Sequence, residues 1–277
     1  MTSSTDDRND GQPTMSQPVV SISGTDGTQL DMPLIGLGTW ESSGGQAYRA
    51  VRDALDIGYR HVDTATYYAN EDQVGAAVRD SGLAREDVFV TTKMPQGNAG
   101  RERKTLEESL RAAGLEHLDL WLIHWPPGGQ ARPDVWEEFI KARTDGLVRA
   151  IGVSNYSIAQ IDELTAATGV TPAVNQIKWG PGLFDASLVA AHAERGVALE
   201  GWSPFKSTDL AALSLTAAAR RHGVTVQQVI IRWHVQHGVV VIPKSSQRER
   251  IASNFDIFDF ELSADEMRDV DALGRSR

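Results

Sequence analysis

The chain has 277 residues, 41% of them hydrophobic, and a formal net charge of −10. So acidic a balance repels phosphate backbones and argues against a nucleic-acid partner. Cysteine is absent, which excludes disulfides and thiolate metal sites, and no apolar run approaches the length of a membrane span.

Residues 1–17, "MTSSTDDRNDGQPTMSQ", are polar and carry no hydrophobic segment of the kind a signal peptide needs. They read as a flexible tail on a cytoplasmic protein. Residues 18–277 read as one domain. In it, 19–23 and 28–32 flank "GTDG", which predicts a β-hairpin. Short apolar runs follow near 34–36, 61–63, 88–92, 118–123, 150–153, 174–176, 198–201 and 239–242. Most are apolar at successive positions, as in parallel strands buried on both faces.

Helix-period segments separate these runs. "QAYRAVRDALDIG" places Ala47, Val51, Ala54 and Leu55 on one face and stops at Gly58. "TLEESLRAAG" repeats the scheme with Leu106, Leu110 and Ala113, and "IAQIDELTAATG" with Ile158, Ile161 and Leu164. Two helical patterns, 209–222 and 225–237, lie between the seventh and eighth runs, so one of them is an extra helix. "SADE" opens the last helix with a capping box from Ser263 to Glu266. Eight strand–helix alternations predict an α/β protein: a (β/α)8 TIM barrel with an N-terminal β-hairpin and one or two extra helices. A doubly wound open sheet is the competing architecture. However, "GLG" at 36–38 lacks the third glycine of a dinucleotide fingerprint.

A barrel gathers function where the strands end. Here the ends are polar: Asp63, Lys93, His124, Ser154 with Asn155, Gln176, Trp202 with Ser203, and Lys244 with Ser245 and Ser246. Asp63 and Lys93 terminate neighbouring strands and can pair. Taken alone, that pair reads equally well as a structural rim salt bridge. Tyr68 shifts the balance, because an ammonium beside a phenol stabilises the phenolate and readies a proton donor. His124 could give a second hydrogen bond to the same substrate oxygen. Such a site polarises a carbonyl and protonates the alkoxide, but supplies no hydride, which implicates a nicotinamide cofactor. Ser154, Asn155 and Gln176 can hydrogen-bond a carboxamide, and the Trp202 ring offers it a face. Lys244, Ser245, Ser246 and Arg250 in "PKSSQRER" suit the 2′-phosphate of NADP; in isolation they read as a solvated helix start. His234 and His237 have a spacing that could serve a metal, but no third ligand is apparent, and they read as a solvated helix face.

In order, "GLGTW", "GYRHVDTATYYANEDQVG", "TTK", "LIHWP", "IGVSN", "VNQ", "WSP" and "IPKSSQRERIASN" resemble the motifs of the aldo-keto reductases, over about residues 19–274. The resemblance is strongest to the bacterial branch that includes 2,5-diketo-gluconate reductases. It implies a monomeric, metal-free enzyme that reduces aldehydes and ketones with NADP(H). It also implies a tetrad of Asp63, Tyr68, Lys93 and His124, with Tyr68 as general acid. Cofactor contacts would come from Thr39, Ser154, Asn155, Gln176 and Trp202. Ser203, Phe205, Lys206 and Ser207 would follow at the pyrophosphate, and Lys244, Ser245, Ser246, Arg250 and Asn254 at the adenosine phosphate. Trp40, Tyr67 and Trp125 would line the substrate pocket.

Four features depart from that pattern: Trp202 in place of tyrosine, "KWGP" at 178–181 in place of an acid, an aromatic and His-Pro, a short loop after Trp125, and a chain that ends at Arg277. The departures imply an open pocket with broad, weak selectivity for small aldehydes and activated ketones. Two competing readings are a Schiff-base aldolase using Lys93, disfavoured because Asp63 keeps that lysine charged, and an NADPH-binding sensor or partner subunit with little turnover.

Overall fold

The computed structural model describes residues 17–275. The expected tail therefore lies outside the described residues, except for Gln17, whose Nε2 donates to the Gly58 carbonyl at 2.7 Å.

Strands β1 (Val19–Ser23) and β2 (Gln29–Pro33) pair antiparallel, as the "TDG" turn between them dictates. Period-2 alternation turns Ile22, Leu30 and Met32 inward. They pack against Phe89, Leu120, Ala150, Val174 and Val240. Phe89 and Val174 are the first residues of their strands, so the hairpin closes the N-terminal end of the sheet.

Eight parallel strands follow: β3 (Leu37–Gly38), β4 (His61–Asp63), β5 (Phe89–Met94), β6 (Leu118–Ile123), β7 (Val148–Ser154), β8 (Val174–Lys178), β9 (Ala198–Trp202) and β10 (Val240–Val241). Each pairs with its neighbours in chain order. The sheet curls until its edges meet through parallel bridges Ile35↔Val241 and Gly38↔Lys244. Gly36 and Gly38 donate across this join to the Val241 and Pro243 carbonyls at 2.9 and 3.2 Å. The first strand is displaced from the expected 34–36 to 37–38 because the earlier residues serve the closing edge, while 37–38 pair with β4. An open doubly wound sheet is thus ruled out.

Helices cover the outer face: α1 (Gly45–Ile57), α2 (Glu71–Arg79), α3 (Glu102–Ala113), α4 (Pro133–Thr144), α5 (Ile158–Thr168), α6 (Ala186–Glu194), α7 (Leu213–His222), α8 (Val226–Gln236), α9 (Arg248–Phe255) and α10 (Ala264–Asp271). The apolar residues predicted for α1 and α3 are buried, as are Ile161 and Leu164 of α5. Gly114 and Gly169 end α3 and α5 in the left-handed conformation that glycine alone adopts without cost. Ser263 and Glu266 form the reciprocal capping box at α10. Outward-facing Trp121 of β6 stacks on Phe139 of α4 with centroids 3.6 Å apart. Two helices, α7 and α8, lie between β9 and β10, and two, α9 and α10, after β10.

The pair His234 and His237 does not lie on a solvated face. His234 is fully buried, with Nδ1 on the Ile230 carbonyl at 2.7 Å. His237 is half-buried, with Nε2 on Asp271 Oδ1 at 2.8 Å. His234 lies against Gly201 of β9 and Trp179, and Phe184 and Asp271 cover His237, contacts that the spacing of two histidines does not reveal. No group of three or more metal-capable side chains occurs among the described residues.

The glycines in and just after "KWGP" have a physical reason. A Cβ on Gly180 would approach the Pro204 carbonyl oxygen to 2.5 Å, and one on Gly182 would approach that of Ser207 to 2.0 Å. Gly182 N donates to Thr208 Oγ1 at 3.1 Å. The glycines let the segment after β9 lie directly on the segment after β8. Gly182→Ala is accordingly expected to cost about 1–3 kcal/mol of stability through overpacking. Urea unfolding followed by tryptophan fluorescence measures it, and an unchanged midpoint would contradict the close contact.

Candidate active site

Side chains two apart on a strand share a face. His61 and Asp63 of β4 and Thr91 and Lys93 of β5 therefore all point into the barrel, and all four are buried. Lys93 Nζ donates to Asp63 Oδ1 at 2.6 Å and to the Thr64 carbonyl at 2.8 Å. Gln176 Nε2 donates to the other carboxylate oxygen, Oδ2, at 2.8 Å. The pair is sealed, with Lys93 0% and Asp63 1% exposed. Burial pulls the ammonium down, but Asp63 and Tyr68 outweigh it and hold Lys93 above the usual lysine value. Burial pushes the Asp63 carboxyl up, against Lys93 and Gln176. The Lys93 ammonium and Asp63 carboxylate form the stable arrangement, because every polar atom of the pair has a donor or acceptor opposite.

Tyr68 ends a 3-10 turn, Thr66–Tyr68, that follows β4. Three anchors hold the turn. Thr66 Oγ1 donates to the Lys93 carbonyl at 3.0 Å. Asn70 Nδ2 donates to the carbonyls of Thr39 and Ser42 at 3.0 and 2.8 Å. Thr64 Oγ1 donates to Asn70 Oδ1 at 2.7 Å. The phenol oxygen thereby sits 3.5 Å from Lys93 Nζ. The His124 ring meets the Tyr68 ring edge-on at 5.8 Å, and Trp40 lies tilted over it at 4.9 Å. The geometry thus brings Asp63, Tyr68, Lys93 and His124 together at the strand ends opposite the hairpin.

The expected acidification of Tyr68 is corrected here. Burial raises the phenol above its ordinary value, and Lys93 only limits the rise, while Asp63 and then Glu200 add to it. Tyr68 is protonated at neutral pH. Burial, then Lys93, pushes His124 down to about 3, so its imidazole is neutral and carries one N–H to donate. Two neutral donors face the cleft, with a cation behind one of them.

The cleft holds about 500 Å³ and is lined by Trp40, Tyr67, Tyr68, His124, Trp125 and Trp202, among others. Trp40, Tyr67 and Trp125 are exposed around its mouth. Ser154, Asn155 and Gln176 also line it. Asn155 Nδ2 donates to the His124 carbonyl at 3.0 Å, and Asn155 Oδ1 accepts from Trp202 Nε1 at 3.2 Å. The indole is thus held by its edge. Ser203, Phe205, Lys206 and Lys244 line the same cleft. Thr39 does not reach it: its hydroxyl donates to the Asp63 carbonyl at 2.9 Å, and it is buried behind the wall. Ser207, Ser245, Ser246, Arg250 and Asn254 are likewise not among the lining residues. Ser245 Oγ accepts from Gln247 N at 3.1 Å ahead of α9, whose eight residues include exposed Arg250 and buried Asn254. Arg248 of that helix is held by Asp53 at 2.6 Å, whereas Arg250 and Lys244 form no ion pair among the described residues.

Two features of the site went unread in the sequence. Glu41 and Lys178 line the cleft, as does Ile242. Glu200, two residues before Trp202 on β9, is fully buried beneath the tetrad; the period-2 rule applied backward from Trp202 points to it. Backbone strain gathers here too. Of the five non-glycine residues with positive φ among the described residues, Glu41, Ala69, Asn155 and Ser203 flank the cleft, with φ of 57°, 53°, 63° and 52°.

Comparison with known proteins gives a consistent answer. A sequence model of the family described as "Aldo/keto reductase family" matches residues 34–275. The chain is 42% identical over 250 residues to the glyoxal reductase of Bacillus subtilis, covering 89% of this chain and 90% of that one. It is 40% identical over 250 residues to the methylglyoxal reductase DkgA of Salmonella typhimurium, covering 89% and 91%. Among solved structures, the Bombyx mori aldo-keto reductase in complex with NADP superposes with a TM-score of 0.81 at 31% identity, covering 94% of each chain.

The depressed His124 value makes a direct prediction. Its ring should take up no proton between pH 8 and pH 5, read from the ring carbon and proton shifts by NMR. A titration near 6.5, the ordinary histidine value, would show that neither burial nor Lys93 governs it.

Proposed function

The chain belongs to the aldo/keto reductase family, and on that premise we propose that it reduces small aldehydes and activated ketones to alcohols with NADP(H), Tyr68 being the general acid. The observation that carries this reading is the buried Asp63–Lys93 pair behind a phenol that shares the cleft with a neutral histidine.

The residues present fit the cofactor. The indole of Trp202, fixed at its edge by Asn155, leaves a ring face for the nicotinamide. Ser154, Asn155 and Gln176 are polar neighbours for the carboxamide. Lys206 and the backbone of 203–207 would attend the pyrophosphate. Lys244 and Arg250, in no ion pair among the described residues, stand with Ser245 and Ser246 at the N-terminus of α9, where anions are favoured. Asn254 would lie near the adenine. When bound, NADPH supplies the hydride.

The chain's own residues do the rest. Tyr68 Oη and a His124 N–H donate to one carbonyl oxygen and fix the substrate's orientation. As negative charge develops on that oxygen, the Tyr68 proton moves to it. Lys93 sits 3.5 Å behind and stabilises the phenolate left over. Asp63 keeps Lys93 charged, which also disfavours Lys93 as a Schiff-base nucleophile. Trp40, Tyr67 and Trp125 surround the opening without sealing it, so small dicarbonyls such as glyoxal and methylglyoxal suit it better than substrates that need an enclosing wall.

Tyr68→Phe is expected to retain NADPH binding, seen by fluorescence quenching, and to lose about 100- to 10,000-fold in kcat for glyoxal reduction. Turnover like that of the parent protein would remove Tyr68 from its role, and cofactor binding with no turnover by the parent would favour a sensor. Arg250→Ala should weaken NADPH by about tenfold or more while leaving NADH nearly unchanged. Equal losses for both would place the 2′-phosphate elsewhere.

A further inference from the structure

Glu200 and Trp202 alternate along β9, so both face the barrel axis. Trp202 reaches the cleft, while Glu200 is 0% exposed below it. Its register partners are Gln176 on β8 and apolar Val240 on β10. Across the axis, His61 Nε2 is 3.9 Å from Glu200 Oε1. Asp63 of β4 and Lys93 of β5 also act on it, and it acts in turn on Tyr68 above. Neither Glu200 oxygen lies within hydrogen-bond distance of a partner among the described residues; the neighbouring Gln176 amide donates to Asp63 and acts on Glu200 only from farther off.

The barrel axis thus holds two carboxyls and one ammonium. Lys93 is committed to Asp63 at 2.6 Å. That leaves Glu200 with His61, whose ring is neutral because burial, then Lys93, holds it near 3. An anion at Glu200 would be desolvated, and its one counter-charge would be an ammonium already paired with Asp63, a costly state for a carboxyl.

We propose that Glu200 is a positioning residue of the tetrad: as a neutral acid it leaves Asp63 the only anion acting on Lys93 within the barrel, and so keeps the ammonium's field on the Tyr68 hydroxyl. This rests on the reading of Tyr68 as proton donor. Ionisation of Glu200 would send its proton to solvent and add a second negative charge to the cluster. That charge raises Tyr68 further and makes it a poorer acid. Burial, reinforced by Asp63 and opposed by Gln176 and Lys93, pushes the Glu200 carboxyl up to about 8. The change therefore falls within a measurable pH range.

The test is the pH dependence of kcat/KM for NADPH-driven glyoxal reduction in the parent protein and Glu200→Gln, with infrared spectra of both. The parent should lose up to about tenfold between pH 7 and pH 9, and the variant less than about twofold. A carboxylic-acid band should be present in the parent at pH 6.5, absent from the variant, and fade with a midpoint near 8. The same alkaline fall in both proteins, or no such band in the parent, would overturn the proposal. Should the variant not fold, the parent decides: coincident midpoints for the band and the rate support the proposal, and separated ones refute it. Absence of turnover at every pH would count against the reductase reading instead, and the band would still report whether Glu200 carries a proton.

Discussion

An ammonium and a carboxylate 2.6 Å apart, with no access to water, constrain everything around them. Either charge alone would be stranded in the barrel; removing one partner of such a pair costs about 3–5 kcal/mol. The pair therefore settles the placement of its neighbours. The Thr64 carbonyl and the Gln176 amide are drawn in to complete its hydrogen bonds. Tyr68 is held over the ammonium by a turn whose anchors, Thr66 and Asn70, are tied back to Lys93, Thr39 and Ser42. Chemistry at the cleft inherits its geometry from a requirement of folding.

Much of this was legible in the sequence because strands obey a short period. Each apolar run ended in a polar residue, and parallel strands in register bring such ends to one rim. The helix faces of α1 and α3 followed from spacing alone, and their glycine stops from the need for a left-handed cap. What sequence did not give was depth. The sign of the Tyr68 shift depends on how far burial exceeds the pull of Lys93, and a string of letters carries no distance from solvent. Glu200 escaped for the same reason: an acid in "VALEGW" looks like a polar break until both adjoining strands and the opposite wall cover it. His234 was misplaced to the surface because its cover, Gly201 and Trp179, comes from β9 and the residue after β8, which helical spacing does not show. The displaced first strand reflects a choice between two partners, β4 and β10, that local propensity cannot decide.

Strain and satisfaction are distributed unevenly. In the helical shell α5, α6, α8 and α10 carry side-chain N-caps, whereas the rim keeps four non-glycine residues in the left-handed region. Asn155 illustrates the exchange. Its strained backbone lets one amide hold the His124 carbonyl and the Trp202 indole at once. A residue with relaxed backbone would aim that amide elsewhere and release the His124 carbonyl and the Trp202 indole, so the unfavourable conformation is retained where it orders the cleft.

The barrel is stitched shut at its narrowest place. Its first and last strands touch over a handful of residues, and the final stitch joins Gly38 to Lys244. That lysine also lines the cleft, and its ammonium lies 3.5 Å from the Glu41 carbonyl on the opposite bank. The lysine is thus itself a clasp across the join. A ligand that fits the cleft only when the barrel is closed would add its binding free energy to the stability of that closure.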